Sequence, residues 1–168
     1  MLFYKIMNIS LRQAKPEDLE WLDEFYESLM RPYVELTHAW DEKRFRKNYN
    51  TKTISVIQLD GEDIGMLKIE KRKDHLYLGD IQLKEAFQKR GIGTSLIRDV
   101  MEKARADGLP LRLRVLRENP VMELYRRLGF VKTKEFKHCH ELEWSAQTVE
   151  AAHESKPHSK ARSLGKLR

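Results

Sequence analysis

Asp80-Ile81-Gln82-Leu83-Lys84-Glu85-Ala86-Phe87-Gln88-Lys89-Arg90-Gly91-Ile92-Gly93-Thr94 is the stretch on which the reading of this chain turns. A β-rich run ends, a short charged loop follows, and a helical pattern opens on two glycines. Ile92, Leu96, Ile97, Val100, Met101 and Ala104 then form an apolar stripe, stopped by Gly108 and followed by Pro110. Glycine accepts φ > 0 and lets another molecule come close to the backbone. The first N–H groups of a helix have no partner inside it and, with the helix dipole, make an anion site. Lys89 and Arg90 add positive charge at its mouth. A plain tight strand-to-helix turn would use the same residues, so the junction alone leaves both readings open. Two other phosphate loops are excluded. A dinucleotide-binding loop needs glycine where Leu96 stands, and a P-loop needs Gly-Lys-Ser/Thr.

Outward from the junction the pattern is regular. Residues 8–14 alternate and read as a strand. Lys15-Pro16-Glu17-Asp18 is a helix start, and Leu19, Leu22, Phe25, Tyr26 and Leu29 keep helical spacing up to Pro32. A second helix is expected from Asp41 to about Tyr49. Residues 53–59 and 64–71 flank Asp60-Gly61 and predict a hairpin. Lys71-Arg72-Lys73-Asp74 is a turn, and a strand from about His75 to Leu83 leads into the junction. Leu111, Leu113 and Val115 alternate with Arg112 and Arg114 in another strand. Asn119-Pro120 opens a helix that ends at Gly129, and residues 130–136 and 139–144 are two last strands. The order β-α-α-β-β-β-α-β-α-β-β predicts an α/β fold, a mixed sheet with helices on both faces.

With 168 residues the chain suits a single domain, expected over 1–146, with a basic, mobile tail over 147–168. The tail carries five basic residues against two acidic ones, half of the net charge of +6. A basic balance fits nucleic acid or a polyanionic small molecule equally. No window approaches the ~20 apolar residues of a membrane span. The apolar run Met1–Met7 is too short and wrongly flanked for a signal peptide. The single cysteine, Cys139, excludes an internal disulfide framework and suits a reducing, cytoplasmic setting. His138 and His140 share one face of a strand with no second ligand pair nearby, so no metal is expected.

A second cluster lies downstream, Glu118-Asn119-Pro120-Val121-Met122-Glu123-Leu124-Tyr125-Arg126-Arg127-Leu128-Gly129-Phe130. Asn119 sits where an N-cap belongs. Tyr125 is a polar-tipped aromatic that, taken alone, reads as half-buried packing. Together the two clusters resemble the GCN5-related N-acetyltransferases (GNAT). Gln88-x-x-Gly91-x-Gly93 is similar to the family's acetyl-coenzyme A signature. Asn119…Leu124-Tyr125-x-x-x-Gly129-Phe130 is similar to its second signature, at the usual distance. The resemblance covers roughly residues 9–145. It implies a central, mostly antiparallel twisted sheet with acetyl-CoA as co-substrate. Backbone N–H groups of Gln88, Lys89, Arg90, Gly91, Ile92, Gly93 and Thr94 would hold the pyrophosphate. The main chain of Ile81, Gln82 and Leu83 would pair with the pantetheine arm, one N–H polarising the thioester carbonyl. Asn119 would contact the arm, and Tyr125 would protonate the departing thiolate, phenol and thiol having ordinary pKa values near 10 and 8.5. Arg90 or Arg117 would suit the nucleotide 3′-phosphate. Lys89 departs from the glycine common in the family, and its side chain is expected to point to solvent.

An alkylammonium must lose a proton before it attacks, at a cost of roughly 4.6 kcal/mol at pH 7. Family members often carry Glu or His where this chain has Tyr77 or Gly79. Asp80, at the strand end, is the expected base, directly or through a water, and it would equally serve as a structural cap. Glu35, His38 and Trp40 lie in the loop that lines the family's acceptor pocket. Glu35 and Trp40 offer charge and cation–π attraction to an amine, although core packing of Trp40 and solvation of Glu35 fit the residues too. The implied activity is transfer of an acetyl group to a primary amine by direct attack, the partner being a small molecule rather than nucleic acid or membrane. A homodimer through exposed sheet edges is compatible with the sequence. Two other readings stay open. One is an acetyl-CoA sensor without turnover, and the other is an acetylase of aminoacyl-tRNA or protein amines.

Overall fold

Asp60 and Gly61 both take positive φ, 51° and 86°, and so close the two-residue turn that the sequence predicts. They join β2 (Ile54–Leu59) to β3 (Glu62–Lys71) in an antiparallel hairpin. In the computed structural model, which describes residues 8–147, this hairpin lies inside a seven-stranded sheet. β1 (Ile9–Gln13) pairs with β2, and β4 (Leu76–Leu83) pairs with β3. Beyond β4 come β5 (Leu111–Leu116), β7 (Cys139–Trp144) and β6 (Val131–Glu135). All neighbours are antiparallel except β4 and β5. The element order is the one the sequence predicts. Of the tail expected over 147–168, residues 148–168 lie outside the described residues.

Two helices differ from expectation. α1 (Leu19–Val34) runs through Pro32 rather than stopping there. Pro32 is one turn from the end, so it removes only one ladder bond. Arg31 reaches Glu27 at 2.6 Å and Glu35 at 2.7 Å, tying the turns on either side together. α2 is shorter than the Asp41–Tyr49 span and covers only Arg44–Lys47. The Asn48 amide donates to the Arg44 carbonyl at 2.8 Å, which spends a C-terminal acceptor and ends the helix.

The sheet has two faces of different character. On one, α3 (Ile92–Ala106) sets Ile92, Leu96, Ile97, Val100 and Ala104 against Ile57, Leu67, Leu78, Leu111 and Leu113. On the other, α1 sets Leu22 against Ala14, Ile54, Val56 and Met66, with Phe25, Tyr26, Phe45 and Tyr49 packed around them. Along β3 the residues facing α1 change from Met66 to Lys68 and Glu70, so the apolar layer stops halfway across. β4 carries a bulge here. Lys68 stands opposite Asp80 and Ile69 opposite Leu78, which leaves Gly79 as the extra residue. The bulge turns Asp80 and Gln82 to the α1 face while Ile81 and Leu83 pack on the α3 side. A Cβ at Gly79 would meet Lys68 Cδ at 3.2 Å, so the lysine stem lies across the glycine.

Candidate active site

The site begins where two strands part. β4 pairs with β5 only at Leu76, Tyr77 and Leu78. Past the bulge β4 stays paired to β3 alone, and its other edge is open. Alternation decides which groups face that edge. Lys84 N–H donates to the Ile64 carbonyl at 2.8 Å, toward β3. Gln82 therefore also faces β3, and its carbonyl oxygen would lie 2.1 Å from a Cβ at Gly65. Ile81 and Leu83 face the open edge. Gln82, grouped in the sequence reading with Ile81 and Leu83 as a main-chain partner, is thus corrected. Its backbone is taken by β3, and its side-chain amide lies 3.1 Å from Met30 Sδ.

The loop after β4 is ordered by its own side chains. Gln88 Nε2 donates to the Leu83 carbonyl at 2.8 Å, and Arg90 stacks on Phe87 with its guanidinium 5.4 Å from the ring centre. Lys89 and Gly91 both take left-handed backbone, φ 58° and 82°. This explains why a glycine suits position 89, and the Lys89 side chain is exposed as expected. Gly91 caps α3, and the first helical bond runs from Ser95 N–H to the Gly91 carbonyl at 3.0 Å. The N–H groups of Ile92, Gly93 and Thr94 therefore have no helical partner. A Cβ at Gly93 would meet only Leu83 Cδ1, at 3.8 Å. The protein's own packing does not demand glycine there, whereas close approach of a phosphate would.

α4 (Met122–Arg127) begins later than Asn119. The Asn119 carboxamide still caps the turn before it, accepting from Val121 N–H at 3.0 Å. Tyr125 is buried and packs edge-on against Phe130 with ring centres 5.4 Å apart. Among the described residues its hydroxyl has no hydrogen-bond partner. Burial, and next the charge of Asp80, push its phenol well above the ordinary range. A phenol so raised keeps its proton throughout the ordinary pH range.

Asp80 lies at the centre of the charged half of the α1 face. It keeps a small contact with solvent but is enclosed by protein, and desolvation pushes its carboxyl up to about 7. Lys68, a contact with Gln82, and Arg44 oppose the shift, while Glu70 adds to it. The negative charge of Asp80 also helps to raise the phenols of Tyr26 and Tyr77, secondary to their burial. Tyr26 stacks on Phe45 at 4.9 Å and leans on Trp40 at 6.1 Å, so an aromatic wall from α1, α2 and the loop between them closes one side. The indole N–H of Trp40 is buried and has no partner among the described residues. His38 is exposed, bonded to Thr37 and 5.8 Å from the His138 ring. Glu35 is exposed at the end of α1 and held by Arg31. It is not among the charges that govern Asp80. Arg117 is engaged by Glu135 at 2.6 Å and by the Phe136 carbonyl.

Tyr26, Arg44, Lys68 and Glu70 were not singled out from the sequence. Tyr26 is hidden in the helical stripe of α1. A signal for the strand residues was present, namely the change from Met66 to Lys68 and Glu70 on one strand face. It becomes legible only once the two β-bulges fix the parity.

The Acetyltransferase (GNAT) family model matches residues 18–130. Among solved structures, the PaiA N-acetyltransferase of Thermoplasma acidophilum, in complex with coenzyme A, is 20% identical, with a TM-score of 0.66 over 82% of this chain and 98% of that one. An acetyltransferase from Thermus thermophilus gives 17% and 0.65, over 81% and 96%. An Arabidopsis thaliana protein in complex with the bisubstrate analogue CoA-Ac-MVNAL gives 15% and 0.62, over 82% and 98%. No helix among the described residues is long and apolar enough to cross a membrane. With the family model spanning both signature clusters and the split sheet between them, the chain belongs to the GNAT acetyltransferases, enzymes that use acetyl-CoA as co-substrate.

Proposed function

We propose that this enzyme acetylates the primary amine of a small molecule, with Asp80 as general base and Tyr125 as hydrogen-bond donor to the leaving sulfur. The observation that carries the reading is the placement of Asp80. It sits beside an open main-chain edge on one side, and its charge reaches Tyr125 on the other. The free N–H groups of Ile92, Gly93 and Thr94, with Gln88 to Gly91 leading into them, suit the pyrophosphate of acetyl-CoA. Ile81 and Leu83 suit the pantetheine arm as an added strand. Asn119, its carbonyl already spent on Val121, has its N–H₂ left for the arm. An Ile81 N–H on the thioester oxygen would stabilise the charge that develops there.

The chemistry balances without a further reactant. The ammonium of the acceptor gives one proton to Asp80 or to a water that Asp80 holds. The neutral nitrogen attacks the thioester carbon, the C–N bond forms, and the C–S bond breaks. Asp80 passes that proton to solvent and so can take the second amine proton, and the thiolate departs with a hydrogen bond from the Tyr125 hydroxyl. A carboxyl near 7 is matched to this task, because it is half ionised near neutral pH and still basic. The aromatic wall of Trp40, Tyr26 and Phe45 supports a compact acceptor. The test is thiol release from acetyl-CoA with a panel of small amines and peptides. Turnover of small amines, lost in Asp80→Asn, is the expected result. Turnover confined to peptides would overturn the small-molecule reading.

A further inference from the structure

The α1 face holds a cleft bordered by Lys68, the residue opposite Asp80. Its volume is about 390 Å³, with Asn48, Asn50 and Thr53 on one side and Lys68, Glu70 and Arg72 on the other. It continues the row in which Asp80 stands. Lys68 is opposite Asp80, and Glu70 is opposite Tyr77. The Arg72 guanidinium lies over the Tyr77 ring, 4.0 Å from its centre.

The charges in this row do not cancel. Lys68 at 3.4 Å and Arg72 at 3.0 Å share one carboxylate, Glu70. Arg44, whose charge reaches Asp80, has no carboxylate at ion-pair distance among the described residues. Lys71, also at the cleft, is drawn away to Asp107 at 3.2 Å. An acceptor with two ammonium ends would place its second charge among cations. An acceptor with an anionic end would complete the pairing that Glu70 cannot. The guanidinium of Arg72 is suited to this, since its planar fork presents paired N–H donors. The distance is set by the strand. From the Asp80 row to the Tyr77 row is roughly 7–10 Å, or about five to seven bonds of an extended chain.

We propose that the acceptor is a primary amine whose far end is an anion, carboxylate or phosphate, held by Arg72 and Lys68 while the amine meets Asp80. The proposal rests on the reading of Asp80 as the base of a small-molecule acetylase. The test uses four amines of one chain length, 6-aminohexanoate, 6-aminohexyl phosphate, hexylamine and 1,6-diaminohexane, with the full-length protein and its Arg72→Gln variant. The anionic pair should exceed hexylamine in kcat/KM by about tenfold, the diamine should be poorest, and the better anion identifies the end group. In Arg72→Gln the anionic pair should lose about tenfold, mainly through KM, while hexylamine stays within about twofold. A diamine as good as the anionic pair, or a variant that shifts all four alike, would overturn the anion site and leave amine acetylation standing. No turnover of any of the four, with acetyl-CoA binding intact by calorimetry, would overturn the small-molecule reading and this proposal with it.

Discussion

On the α3 side of the β4–β5 split, the groups free to meet a ligand are main-chain ones, the N–H of Ile92, Gly93 and Thr94 and the open edge at Ile81 and Leu83. On the α1 side the groups are side chains, Asp80 and Arg44, Lys68 and Arg72 sharing Glu70, and the rings of Tyr26 and Trp40. Main-chain groups are identical in every protein, and what they require from sequence is glycine, helix phase and a strand end. Side-chain groups can be exchanged one at a time without disturbing the frame. On the function proposed above, the first side would hold one fixed molecule and the second would set the specificity.

Substitutions should separate the two sides by the quantity they move, turnover or coenzyme A affinity. The largest effect is expected at Asp80. Asp80→Asn should lower kcat by about 10²–10³-fold and flatten the rise in kcat/KM through pH 7, because the base acts only once it has lost its proton. Tyr125→Phe should lower kcat by about tenfold at all pH values, since the phenol stays protonated throughout. A pH-dependent defect in Tyr125→Phe would count against the donor role. Gly93→Ala comes next. It should weaken coenzyme A binding by about tenfold while raising stability by less than about 1 kcal/mol, as alanine replaces glycine in a helix with room for its methyl. A loss of stability there would show that protein packing, not the ligand, requires the glycine.

Two stability measurements refine the contrast. The folded protein keeps a proton on Asp80 up to about pH 7, whereas the unfolded chain releases it in the ordinary carboxylate range. This group thus makes stability fall as pH rises from about 4 to about 7. Asp80→Asn should be more stable than the parent by about 2 kcal/mol at pH 8, allowing for the residue's contact with solvent, and no more stable at pH 3.5. Urea unfolding at both values checks it. The smallest effect is Lys89→Gly, expected to gain up to about 1 kcal/mol by relieving left-handed backbone at φ 58°.

The same contrast explains what the sequence could reveal. The strand end, loop and glycines from Asp80 to Thr94 are one continuous stretch, so the main-chain side was readable from spacing. The hairpin at Asp60-Gly61 and the strand alternation at 111–115 were legible for the same local reason. The side-chain site draws on α1, α2, β3 and β4, residues up to 54 apart, from Tyr26 to Asp80. Nothing local announces that Tyr26 or Lys68 will stand beside Asp80. Glu35 and His38 were placed in the acceptor loop by resemblance, but the helix continues past Pro32 and delivers Glu35 to Arg31. Pro32 lies in the last turn, where ion pairs span the turns on either side, which a helix-breaking rule for proline does not weigh.

Gly79 has a consequence for how this gene can change. A strand repeats every two residues, so one residue more or less in a regular stretch inverts everything downstream of it. Gly79 is the exception, because Leu78 already faces α3 while Asp80 faces the acceptor. Losing its single codon would leave both on their own faces by plain alternation and remove only the bulge. The bulge is thus a spare residue, and the strand can shorten here without exchanging its two layers.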